Sequence, residues 1–178
     1  FVSPAGGWFA GMEPAPLRFS LSVIVSMLVG GIVGIVTAAG EEIGWRGYML
    51  TRLVQAGVPA PLVVSGIIWG LWHVPAIMTG QYGAGPYPFL SAALFLMFAV
   101  GMSAFWGTLR LRTGSVWSAV FGHAAWNAVI EGPFTGYTAG AGSALWVGES
   151  GVLVVIVVCA LGFVAWKRAS SMTGDHSL

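Results

Sequence analysis

The chain has 178 residues, of which 57% are hydrophobic and only 7% are charged, and its formal net charge is +1. An average soluble domain has about 25% charged residues, so this composition excludes an ordinary soluble protein and predicts an integral membrane protein. A net charge this close to zero excludes a polyanionic partner such as nucleic acid. The lone cysteine, Cys159, cannot form an intrachain disulfide.

The first 19 residues are rich in proline, glycine and aromatic residues, which predicts an interfacial or external lead-in. They lack a basic segment followed by a short apolar core, so they are not typical of a signal peptide. The first residue is Phe1 rather than methionine, and we expect the chain to be a fragment or a processed product. We predict one domain over residues 1–178, without an internal repeat.

Five apolar segments come next, each close to the ~20 residues that span a bilayer: 20–40, 60–79, 88–109, 114–131 and 146–166. Unsatisfied backbone groups are costly in lipid, which leaves helices or closed barrels as the possible structures. Long unbroken apolar runs lack the alternation of a membrane barrel. The sequence therefore predicts an all-α polytopic transmembrane bundle of about five spanning helices.

The first of these helices has a length problem. Residues 20–52 as one straight helix would measure about 50 Å, longer than a hydrocarbon core of ~30 Å. Glycine is a common cause of a helix kink. We therefore expect a break near one of four glycines: Gly30, Gly31, Gly34 or Gly40.

Basic residues lie at alternate ends of the segments, in three groups: Arg46 with Arg52, Arg110 with Arg112, and Lys167 with Arg168. The intervening loops, at 80–88 and 132–148, contain no Lys or Arg. The positive-inside rule places the three basic groups in the cytoplasm, so we predict an external N-terminus and a cytoplasmic C-terminus. The composition, rich in Gly, Ala, Val and Trp, indicates a prokaryotic cytoplasmic membrane.

Two adjacent carboxylates and a guanidinium, Glu41, Glu42 and Arg46, interrupt the apolar run from Leu21 to Leu53. A charge inside a membrane costs about 2.5 kcal/mol or more, so it indicates a functional site or an ion pair. Glu42 and Arg46 are four residues apart and face each other on a helix, whereas Glu41 lies about 100° around it. We predict a structural ion pair between Glu42 and Arg46, which leaves Glu41 free for chemistry.

Two histidines and an asparagine, His73, His123 and Asn127, lie in later segments. A single buried histidine is more commonly an interhelical hydrogen-bond partner, and the tryptophans are more commonly packing residues. At ~1.5 Å per residue, however, Glu41, His73 and His123 lie about 16, 20 and 14 Å from the cytoplasmic surface. Independent structural roles do not explain this common depth, so we predict one site. His73 with Glu41 suits a general-base pair, and His123 with Asn127 suits a pair of oxyanion donors.

Three motifs, in this order, resemble those of the CAAX prenyl protease 2 and bacteriocin-processing family, also called Abi or CPBP: Glu41-Glu42-x-x-x-Arg46, an aromatic residue before His73, and His123-x-x-x-Asn127. The resemblance covers about residues 37–130. Members of that family usually have Phe where this chain has Trp69, and they usually carry further helices upstream. The resemblance implies a glutamate-dependent intramembrane endopeptidase without a cofactor, which acts on a membrane-associated peptide or protein.

The resemblance also implies a role for each residue of the site. Glu41 would be the general base on a water, with His73 helping to activate it. Donors to the oxyanion would be His123 and Asn127. Supporting residues would be Glu42 and Arg46.

Other interpretations remain open. Zinc bound by His73, His123 and Glu41 ranks second, because Asn127 suits a donor better than a ligand and no His-Glu-x-x-His helix is present. A non-catalytic membrane immunity or scaffold protein and a haem protein ligated by two histidines are alternatives from other classes. Aspartic and serine protease chemistries are excluded, since the only aspartate is Asp175 in the tail and no Gly-x-Ser-x-Gly is present.

Overall fold

The structure is a computed structural model that describes residues 15–83, 87–138 and 142–173, with backbone only for 169–173. Most of the predicted lead-in, parts of both predicted external loops and Asp175 lie outside the described residues. Every regular element within those ranges is helical, which confirms the all-α prediction.

Six helices are present in the described part of the chain. Helix α1 is Ala15–Gln55 and contains two π-helical stretches, Ser26–Gly30 and Ile43–Met49. Helix α2 is Pro61–Met78 and α3 is Pro88–Thr113. Helix α4 begins as Trp117–Ala125, continues as a π-helix over Trp126–Phe134 and ends with Thr135–Tyr137. The short α5 is Ser143–Trp146, and α6 is Val152–Thr173.

The helix ends follow local sequence rules. Pro61 and Pro88 stand at the first positions of α2 and α3, where the missing N–H of proline costs nothing. Gly114 ends α3 with a φ of 70°, a left-handed conformation that glycine adopts without strain. Helix α6 begins at Val152, later than the predicted residue 146, so Glu149 lies before the helix rather than within it.

Three helices in the described ranges, α1, α2 and α3, are long and apolar enough to cross a membrane. The chain is therefore a polytopic membrane protein. Helix α6, with 22 residues, also matches the ~20 residues that span a bilayer. The total of five spans, the orientation of the termini and the single domain over 1–178 stay predictions.

The predicted break in the first segment is wrong. Helix α1 runs without interruption for 41 residues, about 60 Å at ~1.5 Å per residue. At its two π-helical stretches the helix departs from α geometry without ending. The backbone groups stay bonded within the helix, and the glycines do not interrupt it. No side chain of α1 before Gly34 is buried, and many large apolar side chains there are exposed.

Close helix contacts bring the predicted motifs together. Helix α2 packs along α3, α3 packs along α6, and α1 packs along α4. A Cβ on Gly66 would lie 2.5 Å from the Cα of Val100, so α2 and α3 are as close as they are because residue 66 is a glycine. The main core is formed by large side chains from α2, α3 and α6: Trp69, Ile77, Phe95, Phe98, Met102, Trp106, Val155 and Val158.

Candidate active site

Glu42 lies at the centre of a buried cluster at the α1–α4 contact. Its Oε1 is 2.7 Å from Nη1 of Arg46 and 2.8 Å from Nδ1 of His123. Glu42 and Arg46 are 0% exposed, and His123 is 5% exposed. Because a carboxylate oxygen in an ion pair can only accept, both nitrogens donate to it. The predicted ion pair between Glu42 and Arg46 is confirmed, whereas the bond to His123 was not predicted.

Aromatic rings surround the charge of Arg46. Its guanidinium carbon lies 4.4 Å from the ring centroid of Trp69 and 5.4 Å from that of Trp106. Within the described residues, Nε and Nη2 of Arg46 are buried without a hydrogen-bond partner. The faces of the two indoles therefore provide the attraction that hydrogen bonds to these nitrogens would otherwise give.

Glu41 occupies a different environment from its neighbour. Its Oε2 accepts a hydrogen bond from Nε1 of Trp69 at 3.3 Å, and its side chain is partly exposed. The ion pairs found in the described residues involve Glu42 and not Glu41. The two adjacent carboxylates therefore differ: Glu42 is buried and ion-paired, while Glu41 is accessible and is held by one neutral donor.

His73 is held from its own helix. Its Nδ1 lies 3.0 Å from the carbonyl oxygen of Trp69, one turn earlier, and a carbonyl can only accept. The Nδ1 atom therefore donates, and Nε2 of the neutral ring keeps a lone pair. Its ring packs against Phe95 at 4.7 Å and against Tyr82 at 5.0 Å. This arrangement fixes the tautomer and orientation of the imidazole, with a proton-accepting atom at Nε2.

Trp69 is the common neighbour of the site. Besides its contacts with Glu41 and Arg46, its ring lies edge-on to His73 at 5.6 Å and to His123 at 6.0 Å. From the sequence, the tryptophans are expected to be packing residues, so this role of Trp69 is not predicted. The available signal was its position one helical turn before His73, which places both side chains on one face.

Trp106 supports the other histidine. Its ring stacks on His123 with centroids 5.0 Å apart and an interplanar angle of 17°. A Cβ on Gly122 would lie 2.7 Å from Nε1 of Trp106, so a glycine is needed beside this stacked pair. His123 is therefore positioned on two sides, by Glu42 at Nδ1 and by Trp106 on its face.

Asn127 is the predicted site residue with the fewest observed contacts. It is partly buried in the π-helical part of α4, and no hydrogen bond of its side chain to the described residues is found. The change from α- to π-helix after Ala125 falls between His123 and Asn127. Their convergence on one atom stays a prediction, as do the catalytic roles of Glu41, His73, His123 and Asn127 and the supporting roles of Glu42 and Arg46.

The alternative interpretation from the sequence is a zinc site formed by His73, His123 and Glu41. Among the described side chains, no group of three His, Cys, Asp or Glu residues is placed to hold a metal ion. The set proposed from the sequence, His73, His123 and Glu41, is therefore not assembled as a three-ligand site here. Trp69 contacts all three of these residues.

Apolar helices surrounding a buried cluster of glutamate, arginine and histidine define a polytopic membrane protein with acid–base groups inside its bundle. The family model described as Type II CAAX prenyl endopeptidase Rce1-like matches residues 21–129, and the chain belongs to this family. The match confirms the resemblance predicted from the three motifs, and the family is one of peptidases. No curated protein and no solved structure matches the chain.

Proposed function

We propose that the chain is an intramembrane endopeptidase that cleaves a membrane-associated peptide or protein with a water activated by Glu41. The observation that carries the proposal is the difference between the two adjacent glutamates. Glu42 is buried and accepts from both Arg46 and His123. Glu41 is partly exposed and accepts from the neutral indole of Trp69. A general base must reach water and must be able to take up a proton, and the partial exposure of Glu41 and its neutral hydrogen-bond donor support this role.

In the proposed reaction, a water lies between Glu41 and His73. Glu41 removes one proton from this water, while Nε2 of His73 accepts a hydrogen bond from the other O–H and orients it. The water oxygen then attacks the carbonyl carbon of the substrate. When the C–N bond breaks, Glu41 returns its proton to the leaving amine, so the carboxylate is regenerated in each cycle.

The negative oxygen of the tetrahedral intermediate would be bound by His123 and Asn127. Since Nδ1 of His123 already donates to Glu42, the ring can donate from Nε2 only when it carries a second proton. The side-chain amide of Asn127 supplies the second donor. Donors of this kind contribute about 3 kcal/mol each in known oxyanion holes.

The proposal requires no metal or other cofactor, because Glu41 and His73 activate the water and two side chains stabilise the oxyanion. The substrate reaches the site from the lipid bilayer, and we place the protein in a prokaryotic cytoplasmic membrane. Basic residues at alternate helix ends support an external N-terminus and a cytoplasmic C-terminus: Arg52, Arg110, Arg112, Lys167 and Arg168.

The test is cleavage of two reporters by the purified chain in lipid nanodiscs: a farnesylated CAAX peptide and a membrane-anchored leader peptide. We expect Glu41→Gln to lower kcat by about 1,000-fold, within the range for loss of a general base. Glu13→Gln makes the same chemical change outside the three motifs and serves as the control. Full activity of Glu41→Gln, or no cleavage of either reporter by the wild type, would favour the non-catalytic scaffold alternative.

A further inference from the structure

A second pair of carboxylates lies apart from the cluster around Trp69. Glu131, in the π-helical part of α4, and Glu149, just before α6, line a cavity of about 400 Å³. Hydroxyl groups supply much of the remaining polar lining: Thr135, Thr138, Ser143 and Ser150. No Lys, Arg or His is among the described residues that line it. The cavity is therefore acidic and rich in hydrogen-bond acceptors.

Glu149 is held rigidly at the wall of this cavity. Its Oε1 accepts from Nε1 of Trp126 at 2.9 Å, and its Oε2 accepts from the hydroxyl of Tyr82. The side chain is 8% exposed. Burial and the nearby charge of Glu131 raise the pKa of Glu149 to about 8. A positive group in the cavity would offset both effects, so the site is suited to a cation.

Two polar groups in the lining have no partner among the described residues. Ser150 is only 6% exposed, and its Oγ is buried without a hydrogen bond. The Oε1 atom of Glu131 is also buried without one. Buried polar atoms in folded proteins are nearly always hydrogen-bonded, so a hydrogen-bond donor placed here would satisfy both.

The number of acceptors distinguishes an organic cation from a metal ion. Calcium takes six to eight oxygen ligands, usually from several carboxylates. The cavity offers two carboxylates, and no group of three metal-binding side chains is found in the described residues. An ammonium has three donors, and a guanidinium has five donors in a planar fork that matches carboxylates. The lining therefore fits the end of a Lys or Arg side chain.

Tyr82 connects this cavity to the candidate active site. Its ring centroid lies 5.0 Å from that of His73, while its hydroxyl donates to Glu149. One aromatic side chain therefore separates the proposed water-activating residues from the acidic cavity. An extended peptide advances about 3.3–3.6 Å per residue, so a side chain within about three residues of the reacting bond could reach the cavity.

We infer that the cavity formed by Glu131, Glu149 and Ser150 binds a basic side chain of the substrate, within about three residues of the bond that is cut. This inference rests on the proposed peptidase function. It identifies the substrate class as peptides with Lys or Arg near the cleavage site. Tyr82 and Trp126 are positioning residues, because they fix the carboxylate of Glu149.

The binding test compares butylguanidinium with the neutral butylurea, which has nearly the same shape. We expect calorimetry on the purified chain in nanodiscs at pH 8 to give one saturable site for butylguanidinium and at least tenfold weaker binding of butylurea. Glu131→Gln should weaken butylguanidinium binding at least tenfold. Since Glu131 has an unpartnered carboxylate oxygen, this change is also expected to preserve folding, which a melting curve checks. Ser150→Ala should weaken binding a few-fold.

Glu41→Gln separates this inference from the proposed function. It should bind butylguanidinium as the wild type does, even though cleavage is lost. In the peptide test, reporters with Arg or Gln within three residues of the cleaved bond are compared by kcat/KM. We expect the wild type to prefer Arg at least tenfold and this preference to approach one in Glu131→Gln.

Three results would overturn the inference. Equal binding of butylguanidinium and butylurea would show that charge is not recognised. Unchanged binding in both Glu131→Gln and Ser150→Ala would place the probe elsewhere. Stoichiometric calcium binding that butylguanidinium does not displace would make the cavity a metal site. Each of these leaves cleavage by Glu41 intact, so they are distinguishable from failure of the peptidase proposal.

Discussion

The indole nitrogen of Trp69 lies 3.3 Å from Oε2 of Glu41, so a residue of α2 holds the proposed general base on α1. The same indole faces Arg46, whose guanidinium carbon is 4.4 Å from the ring centroid. A phenylalanine at this position could keep the ring contacts but could not donate to Glu41. The hydrogen bond and the ring packing can therefore be tested separately.

Trp69→Phe removes this donor and keeps an aromatic ring against Arg46 and the two histidines. A hydrogen bond to a charged group contributes about 1.5–3 kcal/mol, and a bond of 3.3 Å is at the long end of the range. We expect kcat/KM to fall about tenfold, the equivalent of about 1.4 kcal/mol. Trp117→Phe, at a half-exposed position, is the control and should keep wild-type activity. A fully active Trp69→Phe would show that the indole N–H does not position Glu41.

The adjacent glutamates should differ in their effect on stability. Glu42→Gln leaves the buried charge of Arg46 without its counterion, and breaking a buried pair in this way costs about 3–5 kcal/mol. Glu41→Gln removes a partly exposed charge that accepts one neutral hydrogen bond, and it should cost less than about 1 kcal/mol. Unfolding of the purified variants in mixed micelles provides the comparison.

A double variant tests the reason for that difference. Glu42→Gln combined with Arg46→Gln removes both charges, so it should be less destabilised than the sum of the two single changes. Additive losses, or equal losses for Glu41→Gln and Glu42→Gln, would contradict the buried ion pair as the source of stability.

Gly122→Ala should disturb the stack between Trp106 and His123. The new Cβ would lie 2.7 Å from Nε1 of Trp106, which is 2% exposed and has little room to move. Such overpacking costs about 1–3 kcal/mol, and displacement of His123 should also lower kcat. Gly31→Ala is the control, since no atom outside the backbone of its own helix and its chain neighbours lies within 4 Å of its new Cβ. If Gly122→Ala retained full stability and kcat, the ring stack would not position His123.

Several features followed from spacing along one helix. The i, i+4 relation of Glu42 and Arg46 predicted their ion pair, and it forms although the helix changes from α to π directly after Glu42. Apolar length predicted the helices, since a spanning segment must satisfy its backbone internally. Such rules depend only on the chain near each residue, so the sequence is sufficient to apply them.

Other features depend on which helices contact each other, and spacing along one helix does not specify these contacts. The bond between His123 and Glu42 joins residues 81 positions apart, and the contacts of Trp69 join α2 to α1, α3 and α4. No local sequence rule predicts the π-helical turn that follows Glu42 or the one that contains Asn127. They change the direction of the side chains that follow. The expected break in α1 was wrong for another reason: it assumed that the helix must fit the ~30 Å hydrocarbon core, whereas α1 runs for 41 residues without interruption.

The pH dependence of stability should report on Glu149. Burial and the charge of Glu131 raise its pKa from an ordinary 4.5 to about 8 in the folded protein. Between these values the folded state holds a proton that the unfolded state has lost. Its contribution to stability is therefore complete below about pH 4.5 and is lost as the pH rises through about 8.

Glu149→Gln removes this titration, so its melting temperature should fall less than that of the wild type between pH 5 and pH 8. Glu131→Gln removes the neighbouring charge but leaves Glu149 buried, and it should give an intermediate slope. Tyr82 does not contribute over this range, because burial and the carboxylate of Glu149 raise its pKa above the usual value. Identical slopes in the wild type and Glu149→Gln would contradict the raised pKa.

Asn127→Ala tests the proposed oxyanion site. Loss of one donor costs about 2.7–4 kcal/mol in known oxyanion holes, so kcat should fall about 100-fold or more. KM should change little, because the interaction forms only in the transition state. Asn127→Asp keeps the shape but replaces the amide donor with an acceptor, and it should be equally impaired. Wild-type kcat in either variant would remove Asn127 from the mechanism.

Activity in a chelator, measured together with metal content, decides between this mechanism and zinc. A catalytic zinc needs about three protein ligands and an open position, and His73, His123 and Glu41 would have to supply them. That would engage the histidine that the proposal uses as an oxyanion donor and leave Asn127 as the only remaining donor. We expect activity to survive chelation and the purified protein to contain no stoichiometric zinc. Zinc at one equivalent, with activity lost on its removal and restored on its return, would make both histidines ligands.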